Sequence, residues 1–297
     1  MQRFLLFLVG FAGAVAASCV PADGAISLGS ASFTIKATPM TEQGFSTVDT
    51  NRRGKLDPWQ VSIDRVLLSF KTMTIGKVGE EDRCSYRGRG ATNDIVFDPR
   101  FGIVQTFNGV EQSECPDVGV VFGPPEAGTD IGPGATVKDA LDLRAGFAAH
   151  ALVEATGRRA GKTLRIVLRF DTARTAAKFG GCQAGSSRGI TVIAGARDEA
   201  TVSFAAEMLF REGVSTTLGT RLEPFEVADA DEDGVVTMAE IDAITLLEAA
   251  GQTGSEFYQL PDGSRSGTFG DYVRQLFRFA VYYRGNGGCV GNEPGTE

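Results

Sequence analysis

A mainly β fold, an antiparallel β-sandwich completed by helices near the C-terminus, is what the amino-acid sequence predicts. Three observations carry this. Roughly eight short runs rich in β-branched and aromatic residues fall between residues 31 and 215. Gly, Pro and Asp turn signals separate them. Apart from one short stretch, helix signals gather only beyond residue 216. With 42% hydrophobic residues among 297, the chain has apolar material for one large core or two small ones.

The first element is an export signal. Met1-Gln2-Arg3 is a minimal basic start, Phe4 to Ala17 is apolar, and small residues follow, a pattern too short and wrongly flanked for a membrane span. Residues 1–18 are assigned to this signal and 19–30, uncharged apart from Asp23, to a tether. No other stretch is apolar enough to cross a bilayer, so the exported chain is expected to be soluble or lipid-anchored.

Residues 31–215 form the expected sandwich domain. Ser32–Thr38 alternates around Phe33 and Ile35, and Trp59–Ile75 is long enough for one bent strand or two. Ile95–Phe97, Ile103–Phe107 and Val118–Phe122 are shorter candidates. Phe122–Ala135 is rich in Gly and Pro and reads as loop, and Thr136–Arg144 as a short helix. Two hairpins follow: His150–Thr156 with Thr163–Thr172, and Ile190–Ala194 with Ala200–Leu209.

Residues 216–251 carry the strongest motif. Asp229 to Glu240 reads Asp-Ala-Asp-Glu-Asp-Gly-Val-Val-Thr-Met-Ala-Glu, matching the EF-hand loop D-x-D-x-D-G-x5-E at every specified position. Asp229, Asp231 and Asp233 supply hard carboxylate oxygens at loop positions 1, 3 and 5, and Gly234 takes the sharp turn at position 6. Val235 offers its carbonyl, Thr237 acts directly or through water, and Glu240 binds with both oxygens. Val236 is expected to point into the core. The ion this set predicts is Ca²⁺. Thr237 and Glu240 also form a capping box, from which a helix carrying Met238, Ile241, Ile244 and Leu247 on one face runs to Gly251. The incoming helix, within Thr217–Ala228, contains Gly219 and Pro224 and is expected to be short. A second loop at Asp49–Gln60 fails, because Arg53 puts a cation at a ligand position and Gln60 replaces the Glu. Residues 252–297 hold the closing helix, Thr268–Tyr283, with Thr268 as cap, Asp271 at N3 and Tyr272, Leu276, Phe279 and Tyr283 as its apolar stripe.

The five cysteines divide unevenly. Ala16-Ala17-Ser18-Cys19 resembles a bacterial lipobox, although the usual Leu three residues before the cysteine is missing. Lipid on Cys19 would leave Cys84, Cys115, Cys182 and Cys289, an even set suited to two disulfides in an oxidising compartment. Of the three pairings we favour Cys84–Cys115 and Cys182–Cys289. A plain signal-peptidase cut after Ala16 is the alternative.

Other chemistry finds little support. A net charge of −8, with Lys and Arg scattered, argues against nucleic-acid binding. Gly185-Ser186-Ser187-Arg188-Gly189 satisfies G-x-S-x-G but lacks the strand before it and helix after it, and the single histidine, His150, lies upstream rather than downstream. Gly157–Thr163 is one residue short of a P-loop and falls in a hairpin turn.

The signal, Asp229–Glu240, the Phe269–Tyr283 helix and Cys289 together resemble bacterial lipoproteins with a single EF-hand-type calcium-binding loop. The resemblance implies location, an exported protein lipid-anchored at the outer membrane; secretion or a periplasmic location is the alternative. The expected role is non-catalytic, binding an envelope protein or glycan or serving as structure. Gly109–Ala135 is the expected binding surface. An extracellular hydrolase using carboxylates, with calcium holding its scaffold, is the second reading.

Overall fold

The computed structural model describes residues 28–47, 58–76, 94–111, 113–115, 117–145, 148–213, 219–254, 258 and 266–292. The signal, Cys19, Cys84 and the rejected loop's centre lie outside them, as does the side chain of Cys115, so the Cys84–Cys115 pairing falls there too.

In chain order the body begins with β1 (Leu28–Ala37), α1 (Pro39–Gln43), β2 (Phe45–Ser46), β3 (Gln60–Gly76), β4 (Ile95–Phe97), β5 (Ile103–Glu111), β6 (Ser113–Cys115), β7 (Asp117–Phe122) and β8 (Asp130–Ile131). After α2 (Val137–Arg144) come β9 (Ala149–Arg159), β10 (Lys162–Asp171), β11 (Lys178–Ala184), β12 (Ser187–Arg188), β13 (Ile190–Val192) and β14 (Arg197–Phe204). The 3-10 helix Ala206–Phe210 leads to α3 (Glu223–Ala228), β15 (Val235–Thr237), α4 (Met238–Ala243), α5 (Leu246–Gly254), α6 (Phe269–Phe277), β16 (Val281–Tyr283) and β17 (Gly287–Gly291).

The fold is mainly β, with helices toward the C-terminus as expected. The sandwich expectation is corrected: 15 strands join one sheet whose main path is β15-β10-β9-β3-β7-β11-β17-β16-β14-β1-β5. That sheet is mixed, with β1 parallel to β14, β10 to β15 and β4 to β8. It curls about its apolar face. Phe277 of α6 meets Phe170 of β10, Phe179 of β11 and Phe204 of β14 at ring-centroid distances of 4.5, 6.0 and 5.6 Å. One helix thus plugs the interior that a second sheet was expected to close. On the outer face a smaller cluster of Leu67, Val96, Ala149 and Leu152 is covered by Leu143 of α2. The central strands β3 and β9 therefore bury residues on both faces, which explains why Val66-Leu67-Leu68 interrupts the alternation of β3.

The β9–β10 hairpin forms as predicted, with Lys162 opposite Arg159 and a turn of Ala160-Gly161. The second expected hairpin does not form. β13 pairs with β6, whereas β14 lies parallel to β1 and antiparallel to β16. Local turn chemistry at Gly195 bends the chain but cannot dictate which strand each arm finds. Gly109–Ala135, expected to be a mostly irregular surface, is strand through most of 109–122, where Val118, Val120 and Phe122 are buried, and loop beyond it apart from the two-residue β8.

Two helix expectations are also corrected. The helix after the acidic loop stops at Ala243, because Ile244 is extended (φ −102°, ψ 146°). Thr245 then starts α5, its Oγ1 accepting from the Glu248 N–H at 3.2 Å and the Glu248 carboxylate accepting from its N–H at 2.7 Å. Leu247 is consequently 60% exposed and Leu246 takes the core. The closing helix has the expected cap, Thr268 with Asp271, but ends at Phe277. Residues assigned to its last turns form β16, which pairs with β17 and carries the chain to Cys289. Cys289 is bonded to Cys182 of β11 across 107 residues of sequence. Segments 216–251 and 252–297 thus contribute β15, β16 and β17 to the same sheet as the body.

Candidate metal centre

The acidic loop spans α3, β15 and α4. α3 is short, with Pro224 in its first turn and Phe225 and Ala228 buried. Phe225 sits between Phe210 and Phe269, at 5.2 and 5.0 Å between centroids. On its outer side Glu226 accepts from Arg159 at 2.8 Å and also receives the Lys162 ammonium. The loop's entry is therefore seated in the core by Phe225 and fastened to the β9–β10 hairpin by the ion pairs of Glu226.

Turn geometry within the loop comes from its own side chains. Asp229 Oδ1 accepts the Gly234 N–H at 3.3 Å, Asp231 Oδ1 the Asp233 N–H at 3.4 Å, and Asp233 Oδ1 the Val235 N–H at 2.7 Å. Gly234 has φ +78°, where an L side chain is strained, so the glycine at position 6 is required. Glu232, at position 4, also has positive φ (57°) and points out of the ring of ligands as an exposed residue. Val236 is fully buried, as the motif predicts.

The three aspartates converge. One oxygen from each of Asp229, Asp231 and Asp233 lies within 4.8 Å of the others; Asp229 is half-buried and the other two are exposed. Oxygens 2.3–2.6 Å from a calcium ion are separated by at most about 5 Å, so these three fit one coordination sphere. The donor set is also right for the ion, since carboxylates are hard ligands and no thiolate or imidazole is among them. Glu240 stands apart from this group. Its Oε2 accepts the Thr237 N–H at 2.7 Å and the Thr237 hydroxyl at 2.8 Å, capping α4. Thr237 and Val235 lie on β15, at the strand edge of the loop.

The body backs the loop directly. β15 runs parallel to β10, with Arg165, Ile166 and Val167 opposite Val235, Val236 and Thr237, and the Arg165 N–H donates to the Gly234 carbonyl at 2.8 Å. Beyond the loop, Asp242 of α4 accepts both Arg274 terminal nitrogens, at 2.6 and 2.8 Å, and Arg174 at 2.9 Å. Thr245-x-x-Glu248 was a visible capping signal for the break after α4. Nothing local marked Arg174 and Arg274 as the partners of Asp242.

Neither the G-x-S-x-G serine nor the single histidine has a catalytic setting among the described residues. Ser187 lies in the short β11–β12 hairpin, not on a strand-to-helix elbow. His150 is fully buried on β9, with Nε2 3.1 Å from the Ala176 carbonyl and its ring edge-on to Phe277. Desolvation pulls its pKa down to about 4, so it is neutral at pH 7. Among the described residues no helix is long and apolar enough to cross a membrane. Compared with protein families, curated proteins and solved structures, the chain finds no match.

Proposed function

We propose that this is an exported protein, anchored by lipid on Cys19 to the outer membrane, in which one EF-hand-type loop binds Ca²⁺ and fixes the helical segment to the edge of the sheet. Its role is non-catalytic, binding an envelope protein or glycan or serving as structure. The observation that carries the reading is the convergence of the Asp229, Asp231 and Asp233 carboxylate oxygens within 4.8 Å. Pairing of β15 with β10 supports a stabilising ion rather than a switch, because the loop is built into the edge of the sheet.

In equilibrium dialysis with radioactive calcium, the protein should retain one equivalent per chain, and Glu240→Gln should lower the affinity by tenfold or more. Retention by the variant as firm as by the parent would count against the loop as the site. The anchor is tested separately: Cys19→Ser should move the protein from the membrane to the soluble fraction, and unchanged fractionation would exclude lipid at that position.

A further inference from the structure

Beside the acidic loop, on the outer face of the sheet, lies a cavity of about 430 Å³. That is within the range of small-molecule sites. Its floor is Ala149 and Val167 of β9 and β10, and Met238 and Ala239 of α4 form one wall. Most of the lining is apolar, but three guanidinium groups, Arg169, Arg174 and Arg274, face two carboxylates, Asp171 and Asp242.

The charges are unevenly satisfied. Asp242 and Asp271 take both Arg174 and Arg274. Arg169 has no carboxylate within ion-pair reach among the described residues; its one bond is from Nη1 to the Asp142 carbonyl at 3.0 Å. Arg274 is only 6% exposed, yet its Nε–H has no acceptor. A buried donor left without a partner is costly, and an Arg beside an apolar chamber is poorly satisfied by its own fold. An incoming anionic oxygen group would give half-buried Arg169 a charged partner and the buried Arg274 an acceptor.

We propose that this cavity is a binding site for a small organic monocarboxylate with an apolar body. The carboxylate pairs with Arg169, the guanidinium that can meet it with two N–H groups, and shares the donor surplus at Arg274. The apolar portion lies on Val167, Ala149 and Met238. A dianion such as a phosphate ester is disfavoured, because Asp171 and Asp242 also line the cavity and repel added charge. The proposal does not depend on calcium in the neighbouring loop.

Octanoate is a suitable probe. Calorimetric titration into the full protein should show one saturable site, and octanamide, of equal length but uncharged, should bind at least about tenfold more weakly. Arg169→Gln should lower octanoate affinity about tenfold or more and leave octanamide unchanged. Ala239→Phe, at an exposed position on the wall, should lower both by narrowing the chamber, with the melting temperature kept at the parent's. No saturable octanoate binding, equal binding of the two probes, or parent affinity in both variants would overturn the proposal.

Discussion

Replacing Asp231 by Asn separates the loop's two energetic roles. Three carboxylate oxygens within 4.8 Å of each other repel when no cation is present. At that spacing a pair of unit charges in water-like surroundings is worth about 0.9 kcal/mol before salt screening. Asp231 takes part in two such pairs and is exposed, so at 0.15 M salt its neutralisation should leave the calcium-free protein unchanged or more stable by up to about 1 kcal/mol. The amide keeps the oxygen that accepts the Asp233 N–H, so the turn survives. With calcium the sign reverses. If the parent site has an affinity near 10⁻⁴ M, 10 mM calcium adds about 2.7 kcal/mol to the parent, and the variant forfeits most of it. Thermal melts followed by circular dichroism, in chelator and in 10 mM calcium, would read the parent's gain as a shift of about 5 °C or more. An Asp231→Asn protein that melts well below the parent in chelator, or that gains as much from calcium, would refute this reasoning.

Two further outcomes follow from buried groups. His150 has a pKa near 4 in the fold against 6.5 in the unfolded chain, so between those values the unfolded state takes up a proton that the folded state refuses. Stability should therefore fall on acidification from about pH 6.5 to pH 4 by about 3 kcal/mol, and His150→Leu should lack that component in urea titrations across the same range. The Cys182–Cys289 bond closes a 107-residue loop, so Cys289→Ser should cost about 2–5 kcal/mol, read as a lower urea midpoint; an unchanged midpoint would mean that the β11–β17 pairing holds alone.

The elements that were legible in the sequence are those fixed by neighbours in the chain. Thr268 with Asp271 and Thr237 with Glu240 cap the helices they were expected to cap, and the short helix expected over Thr136–Arg144 forms behind Thr136. The β9–β10 hairpin and the buried Val236 follow equally from local pattern. What stayed hidden depends on distant partners. Ile190–Val192 and Arg197–Phe204 look like two arms of a hairpin, and only the availability of β6, β1 and β16 separates them. Val281–Tyr283 continues the helical stripe of α6, yet Tyr283 is drawn into the sheet, where its hydroxyl donates to the Gly189 carbonyl at 2.6 Å. The acidic residues of the loop, Asp229, Asp231 and Asp233, were readable one by one. The pairing of β15 with β10, the clamp of Asp242 by Arg174 and Arg274, and the cavity beside them were not, since all three join residues far apart in sequence.

The most direct test is a crystal structure of the full protein grown with calcium. One strong peak should stand 2.3–2.6 Å from oxygens of Asp229, Asp231 and Asp233 and from the Val235 carbonyl, with Glu240 turned to ligate through both oxygens. Absence of density there at millimolar calcium, with Glu240 still held by Thr237, would contradict the central claim.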